Sequence, residues 1–209
     1  MSDSDQFNDE TSGRWRPRHG GGRRWLGLIL VLVVLPIVLG AIVALLAGRS
    51  LAYSELQRRI VKRFPSVRWV TTADLAGWLD QTGRPRPVVL DARTAGEYAV
   101  SHIQDALRID PYRPLLRPLR GFSQDTPIVA YSSVGYRSAG VAQWLSRQGY
   151  TNVASLQGSI FQWANEDRPL FRAGGQVSEV HPYDHRWGWL LERKYWITAP
   201  DQEKRSAAP

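Results

Sequence analysis

The chain has no cysteine among its 209 residues, and this absence restricts its chemistry more than any other feature. Without a thiol, the polypeptide cannot form the cysteine thiolate that serves as nucleophile in persulfide and many phosphoryl transfers. Metal chemistry is also disfavoured. His181 and His185 lie four apart, but Pro182 interrupts a helix there and no further ligand cluster accompanies them. The sequence therefore predicts no metal site and no cofactor.

Acidic residues are also scarce relative to basic ones, with 19 Asp and Glu against 27 Lys and Arg and a net charge of +8. The excess is concentrated in residues 49–64, which carry five basic groups and one acid. No nucleic-acid-binding motif accompanies the high isoelectric point, so we predict a membrane surface and no nucleic acid as the partner of these charges.

Charge is entirely missing from residues 25–47, an apolar run of 23 residues. At ~1.5 Å per residue, a helix of this length crosses a hydrocarbon layer of ~30 Å. We predict a transmembrane helix here, preceded by a disordered basic tail at 1–24. A cleaved signal peptide, with Ser50–Ala52 as the small residues, is the alternative, although the run exceeds a usual signal core. A twin-arginine export signal would rest on Arg23 and Arg24 alone.

Residues 48–65 are predicted to form an amphipathic juxtamembrane linker. One helical face carries Tyr53, Leu56, Ile60 and Phe64 and the opposite face carries basic side chains, a pattern typical of a helix lying on anionic lipid. We therefore predict a single-pass membrane protein that contacts lipid through residues 25–64. Basic residues are balanced on the two sides of the span, and only the nearness of Arg23 and Arg24 favours an extracytoplasmic domain.

The segment after Pro127 predicts a buried strand, a loop and a helix in succession. Ile128–Tyr131 is continuously apolar, as in a central parallel strand. Residues 138–148 have helical periodicity and Gly149 suits the helix end. Alternating elements elsewhere predict a parallel α/β sheet with helices on both faces. The other predicted strands are 67–70, 87–92, 106–109 and 153–155, and the other predicted helices are 73–81 and 97–102.

Three sequence blocks in this order resemble the rhodanese-like (thiosulfate sulfurtransferase) domain. They comprise Val88–Arg93 with Gly96–Tyr98 and Ser101–Ala106, the loop Pro127–Arg137, and Gly149–Val153 with Leu156–Trp163 and Pro169–Leu170. The resemblance implies a three-layer α/β domain over residues 66–172, with a central parallel sheet, preceded by the transmembrane helix. Residues 173–209 then form an aromatic-rich C-terminal tail, expected to pack on the domain, on a partner or at a membrane interface.

The family's chemistry does not carry over, because Ser132 occupies the position of its persulfide-forming cysteine. Residues Ser133, Val134, Gly135, Tyr136 and Arg137 are predicted to form an anion-binding loop for thiosulfate or sulfate, supported by Asp91 and Arg93. A serine hydrolase is disfavoured, since no Gly-x-Ser-x-Gly elbow is present. Phosphatases of this fold place five residues between cysteine and arginine, whereas four separate Ser132 from Arg137.

We therefore predict a membrane-anchored pseudo-enzyme, a rhodanese-like module that binds an anion or an unknown protein without sulfurtransferase activity. The alternative is sulfur transfer in which a partner supplies the thiol and this domain supplies the binding site.

Overall fold

The computed structural model describes residues 25, 30–173 and 175–197, and the chain forms two compact units, residues 1–48 and 49–209. A π-helix over Leu30–Val34 leads into helix α1, Leu35–Arg63, which runs across the boundary between the units. Within the described residues, no helix has both the length and the apolarity required to cross a membrane. The predicted span at 25–47 includes residues 26–29, which lie outside the described residues, as does the predicted tail at 1–24.

A five-stranded parallel sheet forms the centre of the second unit. Its strands are β1 (Arg68–Val70), β2 (Val88–Asp91), β3 (Leu107–Arg108), β4 (Ile128–Tyr131) and β5 (Val153–Leu156). The strand order is β1-β5-β4-β2-β3, so β4 has a neighbour on each side and every residue of this apolar strand is buried. The predicted α/β fold with a central parallel sheet is confirmed.

Helices cover both faces of the sheet. They are α2 (Thr72–Asp80), α3 (Ala95–Val100), α4 (Tyr136–Arg147) and α5 (Ser159–Asn165). Alternating residues of one strand point to opposite faces, so Val89 packs in a core cluster with α2 and α5, while Leu90 packs in a cluster with α4. Helix α2 begins one residue earlier than predicted, because Thr71 forms a capping box with Asp74.

The chain after the sheet packs onto the same domain. A short antiparallel pair, β6 (Leu170–Arg172) and β7 (Gly175–Val177), is followed by a one-turn helix α6 (His185–Gly188) and a 3-10 turn at Arg193–Tyr195. Val180, Leu190, Leu191 and Tyr195 are buried in the cluster that contains Val89. The aromatic segment was predicted to pack on the domain, on a partner or at a membrane interface. Its described part packs on the domain.

The C-terminal part of α1 and the residue after it pack on the domain as well, and we call residues 49–64 the cover segment. Its apolar face, predicted to lie on lipid, is instead turned inward: Ile60 and Phe64 are buried against Ala139 of α4, with Leu56 and Val134 at the edge of the cluster. The helical periodicity was correct but its assigned partner was wrong, because protein atoms already cover this face.

Removing the Ile60 side chain beyond its β-carbon tests this packing. Ile60 is only 3% exposed, so we expect Ile60→Ala to lower the free energy of unfolding by about 3 kcal/mol. Urea denaturation measures the loss. Lys62→Ala, an exposed position on the same helix, serves as the matched control and should change stability by less than about 0.5 kcal/mol. Equal stability of the two variants would mean that the cover segment does not pack on the domain in solution.

Candidate functional site

The candidate site is the loop between β4 and α4, in the position that the sequence predicts. Gly135 has φ of 108°, a conformation open to glycine but strained for other residues, and it allows the chain to turn directly into α4. The first turn of α5 holds the loop from behind. Ile160 N donates to Ser132 O at 3.1 Å, and Phe161 N donates to Ser133 O at 3.2 Å.

Ser132 is 1% exposed, and its hydroxyl belongs to the internal bonding of the loop. Its Oγ accepts the Gly135 N–H at 3.1 Å, and the Ser138 hydroxyl lies 3.5 Å away. Its own N–H donates to Ser159 Oγ at 3.1 Å. None of these partners is a base that could take the hydroxyl proton, so the arrangement lacks what activates a serine nucleophile.

The cation of the loop, Arg137, is paired with Glu97 of α3. Arg137 Nη1 and Nη2 donate to the two carboxylate oxygens at 2.8 and 2.7 Å, and Nη2 also donates to Ser133 Oγ at 2.8 Å. Glu97 in turn caps its own helix by accepting from Thr94 N at 3.0 Å. Burial opposes the charge of Glu97, but the hydrogen bonds and charge of Arg137, with smaller contributions from Thr94 N–H and Arg93, together outweigh it and lower its pKa to about 2.

Asp91 and Arg93, predicted to support the loop, form a fully buried ion pair at the end of β2. Arg93 donates from Nε and Nη2 to the Asp91 carboxylate, at 2.9 and 2.6 Å. Tyr131, the residue before Ser132, donates its hydroxyl to Asp91 Oδ2 at 2.6 Å. The pair therefore contacts the strand that carries the loop, through Tyr131. Burial and the neighbouring Asp91 raise the pKa of Tyr131 well above its ordinary value, so its hydroxyl stays protonated.

The cover segment and the C-terminal segment enclose the loop. Gln57 of the cover segment is 4% exposed; its Nε2 donates to Val134 O at 2.9 Å and its Oε1 accepts from Gly158 N at 3.0 Å. Tyr53 adds a hydrogen bond from its hydroxyl to Gly158 O at 2.6 Å. On the other side, the Tyr183 ring lies 4.7 Å from the guanidinium carbon of Arg137. Residues of both segments line the cavity beside Ser132.

The cavity has a volume of about 140 Å³. Five residues of the predicted loop line it: Ser132, Ser133, Val134, Tyr136 and Arg137. The other lining residues, which the sequence did not connect with the loop, are Leu56, Ile60, Tyr183 and Trp187. Most of this lining is apolar. In the part of the chain that the structure describes, no group of three His, Asp or Glu side chains could hold a metal ion.

Comparison with known proteins agrees with this architecture. Residues 71–166 match the family model of the Rhodanese-like domain. This chain contains a rhodanese-like domain. A rhodanese-related protein from Thermoplasma volcanium is similar in structure, at 25% identity and a TM-score of 0.43, and the match covers 50% of this chain and 97% of that one. The match to the family model confirms the rhodanese-like fold predicted from the three sequence blocks.

Curated proteins similar to part of this chain include tRNA uridine(34) hydroxylases. The protein from Xanthomonas euvesicatoria is 38% identical over 113 residues, covering 50% of this chain and 44% of that protein. The protein from Erwinia tasmaniensis is 30% identical over 105 residues, covering 48% of this chain and 29% of that protein. This chain thus matches less than half the length of either relative.

These relatives correct one sequence-based prediction, the exclusion of nucleic acid as a partner. Their name places their activity on a tRNA uridine, so an exclusion that rested only on the absence of a short binding motif is wrong. Nucleic-acid affinity comes largely from contacts between basic side chains and phosphates, which need no such motif.

Several residues of the site were missed by the sequence analysis. Glu97 was noted only as part of a family block, although Thr94 and Glu97 have the spacing of a capping box, which marks a helix start. Gln57 gave no signal, because a lone polar residue in an amphipathic helix is normally exposed. Tyr183 and Trp187 lie in the segment predicted only to be an aromatic-rich tail, and their position beside the loop depends on a turn that sequence does not specify.

The Glu97 ion pair predicts a specific loss of stability in acid. A carboxyl whose pKa falls from 4.5 unfolded to about 2 folded stabilises the fold fully above pH 4.5 by about 3 kcal/mol. This contribution is lost as the pH falls toward 2. We expect Glu97→Gln, which keeps a capping side chain, to have lower stability at neutral pH and a flatter dependence between pH 5 and 2. Urea denaturation across that range measures it, and parallel curves for the two proteins would contradict the ion pair.

Proposed function

We propose that this chain is a rhodanese-like binding module that holds its ligand non-covalently and does not transfer sulfur. The observation that carries the proposal is the state of position 132, where a buried hydroxyl accepts a loop N–H and no cysteine exists anywhere in the chain. The loop retains a defined shape and an adjoining cavity, so binding remains possible where covalent sulfur chemistry is not.

Sulfur transfer with a thiol from a partner is less well supported. The partner's cysteine would have to reach Ser132, which is 1% exposed behind Leu56 and Ile60 of the cover segment. Gln57 fastens this segment to both Val134 and Gly158. Entry of a protein side chain would therefore require these hydrogen bonds to break.

We expect no thiocyanate when the protein is mixed with thiosulfate and cyanide, because a serine hydroxyl cannot hold a persulfide. Ser132→Cys is the matched variant. Its thiol would accept the same Gly135 N–H beside the start of α4, which favours a thiolate. At high thiosulfate concentration we expect the thiolate of this variant to attack the outer sulfur of thiosulfate, which releases sulfite and leaves a persulfide detected by mass. Cyanide then takes the outer sulfur as thiocyanate and restores the thiolate. Thiocyanate from the unmodified protein would contradict the proposal.

RNA binding is a second candidate function, favoured by the names of the relatives and by the surface of the cover segment. Its outer face exposes Arg58, Arg59, Lys62 and Arg63. Glu55 pairs with Arg58 at 3.0 Å and with Arg59 at 2.8 Å, which leaves Lys62 and Arg63 as the less compensated charges. A basic helical face of this kind can contact phosphates without reading bases.

Binding of bulk tRNA, measured by filter retention at several salt concentrations, tests the second candidate. We expect Lys62→Ala with Arg63→Ala to weaken binding and to reduce the slope of log K against log salt by roughly 1.4–1.8, since each lost phosphate contact removes ~0.7–0.9. Arg117→Ala with Arg120→Ala removes the same charge from exposed positions elsewhere and serves as control. Equal slopes in both double variants would exclude the cover segment as an RNA surface.

Membrane attachment through residues 25–47 remains a proposal that rests on the uncharged run of 23 residues. The side chains of residues 31–42 are exposed and mostly apolar. Exposed apolar surface of this extent supports contact with lipid. We expect the full chain to stay with membranes through carbonate and high-salt washes, because apolar burial does not depend on ionic strength. Release by salt alone would contradict the anchor. We expect the domain to lie on the extracytoplasmic side of the membrane. Protection from added protease in sealed vesicles measures which side it occupies.

A further inference from the structure

The cavity beside Ser132 is small and partly open to solvent. At about 140 Å³, it is close to the ~150 Å³ of an apolar protein cavity that accepts benzene. It is well below the ~300–1,000 Å³ of pockets that enclose larger ligands. Its size therefore selects a molecule with about one ring.

The charge balance of the cavity does not favour an anion. Both terminal nitrogens of Arg137 already donate to Glu97 at 2.7 and 2.8 Å. An entering anion would share that guanidinium with a carboxylate whose pKa is about 2 and which is therefore charged at neutral pH. Repulsion from Glu97 offsets the attraction of Arg137, so this site is close to neutral for a ligand.

The walls favour an aromatic ring. Leu56, Ile60 and Val134 supply aliphatic surface, and the partly exposed rings of Tyr136, Tyr183 and Trp187 also line the cavity. Aromatic side chains attract a further ring in stacked or edge-to-face arrangements. Ser132 also lines the cavity, and its hydroxyl accepts the Gly135 N–H and retains a proton that it can donate.

From these observations we propose that the cavity binds a small, neutral, single-ring aromatic molecule with one hydrogen-bonding group, of which phenol is the simplest probe. The inference rests on the proposed function and names the ligand class of the same site. It replaces the oxyanion predicted from the family resemblance, because the loop cation is neutralised by Glu97 and the added walls are apolar.

Titration of the full chain with phenol, benzoate and thiosulfate, followed calorimetrically and by ligand-observed NMR, tests the ligand class. We expect a dissociation constant for phenol of about 1 mM or tighter and binding of both anions at least about tenfold weaker, since Glu97 disfavours a second negative charge. Tighter binding of benzoate or thiosulfate than of phenol would overturn the proposal.

Three variants locate the binding. Leu56→Trp fills the cavity and should weaken phenol binding about tenfold or more, whereas Ser132→Ala removes only the hydroxyl and should weaken it about three- to tenfold. Lys62→Ala, exposed on the same helix, should leave it unchanged within about twofold. Unchanged phenol affinity in Leu56→Trp, with the fold intact by circular dichroism, would place the phenol elsewhere and overturn the proposal.

Glu97→Gln tests the electrostatic argument. Without its carboxylate partner, Arg137 should bind benzoate and thiosulfate about tenfold more tightly than in the unmodified protein. No gain in anion binding by a folded variant would contradict neutralisation by Glu97. Failure of the ligand class is separable from failure of the proposed function: absent phenol binding overturns only the former, while thiocyanate formation by the unmodified protein overturns the latter.

Discussion

The ion pair between Glu97 and Arg137 is the interaction on which the site depends. Glu97 caps α3 through Thr94, and its two oxygens receive the guanidinium of a residue 40 positions later, in the first turn of α4. Ser133 joins both partners with hydrogen bonds of 3.1 Å to Glu97 and 2.8 Å to Arg137. The start of one helix, the start of another and the loop are thus held by one cluster. Loop shape and loop charge cannot be changed independently, because the same two side chains set both.

Enclosure of the loop is the second constraint. Within residues 71–166, which match the rhodanese-like family model, the loop, α3 and α4 are already present. The walls contributed by Leu56, Ile60, Tyr183 and Trp187 come from outside that range. Segments before and after the matched range therefore supply side chains that line the cavity beside the loop.

The sequence determined some parts of this structure almost completely. Strand β4 has the predicted bounds, because a continuous apolar run between polar residues has few alternatives to a buried strand. The position of the loop, from Ser132 to Arg137 between this strand and the next helix, was equally evident. The sequence also predicts which face of the cover segment is apolar, but not which surface that face packs against. Periodicity tells which side of a helix avoids water, and a lipid layer and a protein surface satisfy it equally.

Other features were inaccessible because they depend on long-range geometry. The partner of Arg137 could be any of several acids until the sheet order placed α3 beside the loop. The role of Gln57 required two backbone groups, Val134 O and Gly158 N, to lie within reach of one amide side chain. Nucleic acid was excluded on the absence of a motif, which is weak reasoning because a basic surface needs none.

The double hydrogen bond of Gln57 has a consequence for the order in which the protein is completed. Its two partners follow it by 77 and 101 residues, so the segment that encloses the loop is made long before the groups that hold it. At synthesis rates of ~5–20 residues per second, Gly158 is made roughly 5–20 s after Gln57. Throughout that interval the apolar side chains of Leu56, Ile60 and Phe64 lack their partners in the domain. They are available to the ribosome exit, to chaperones or to a bilayer. The apolar face of the cover segment can therefore become buried only after most of the domain has been synthesised.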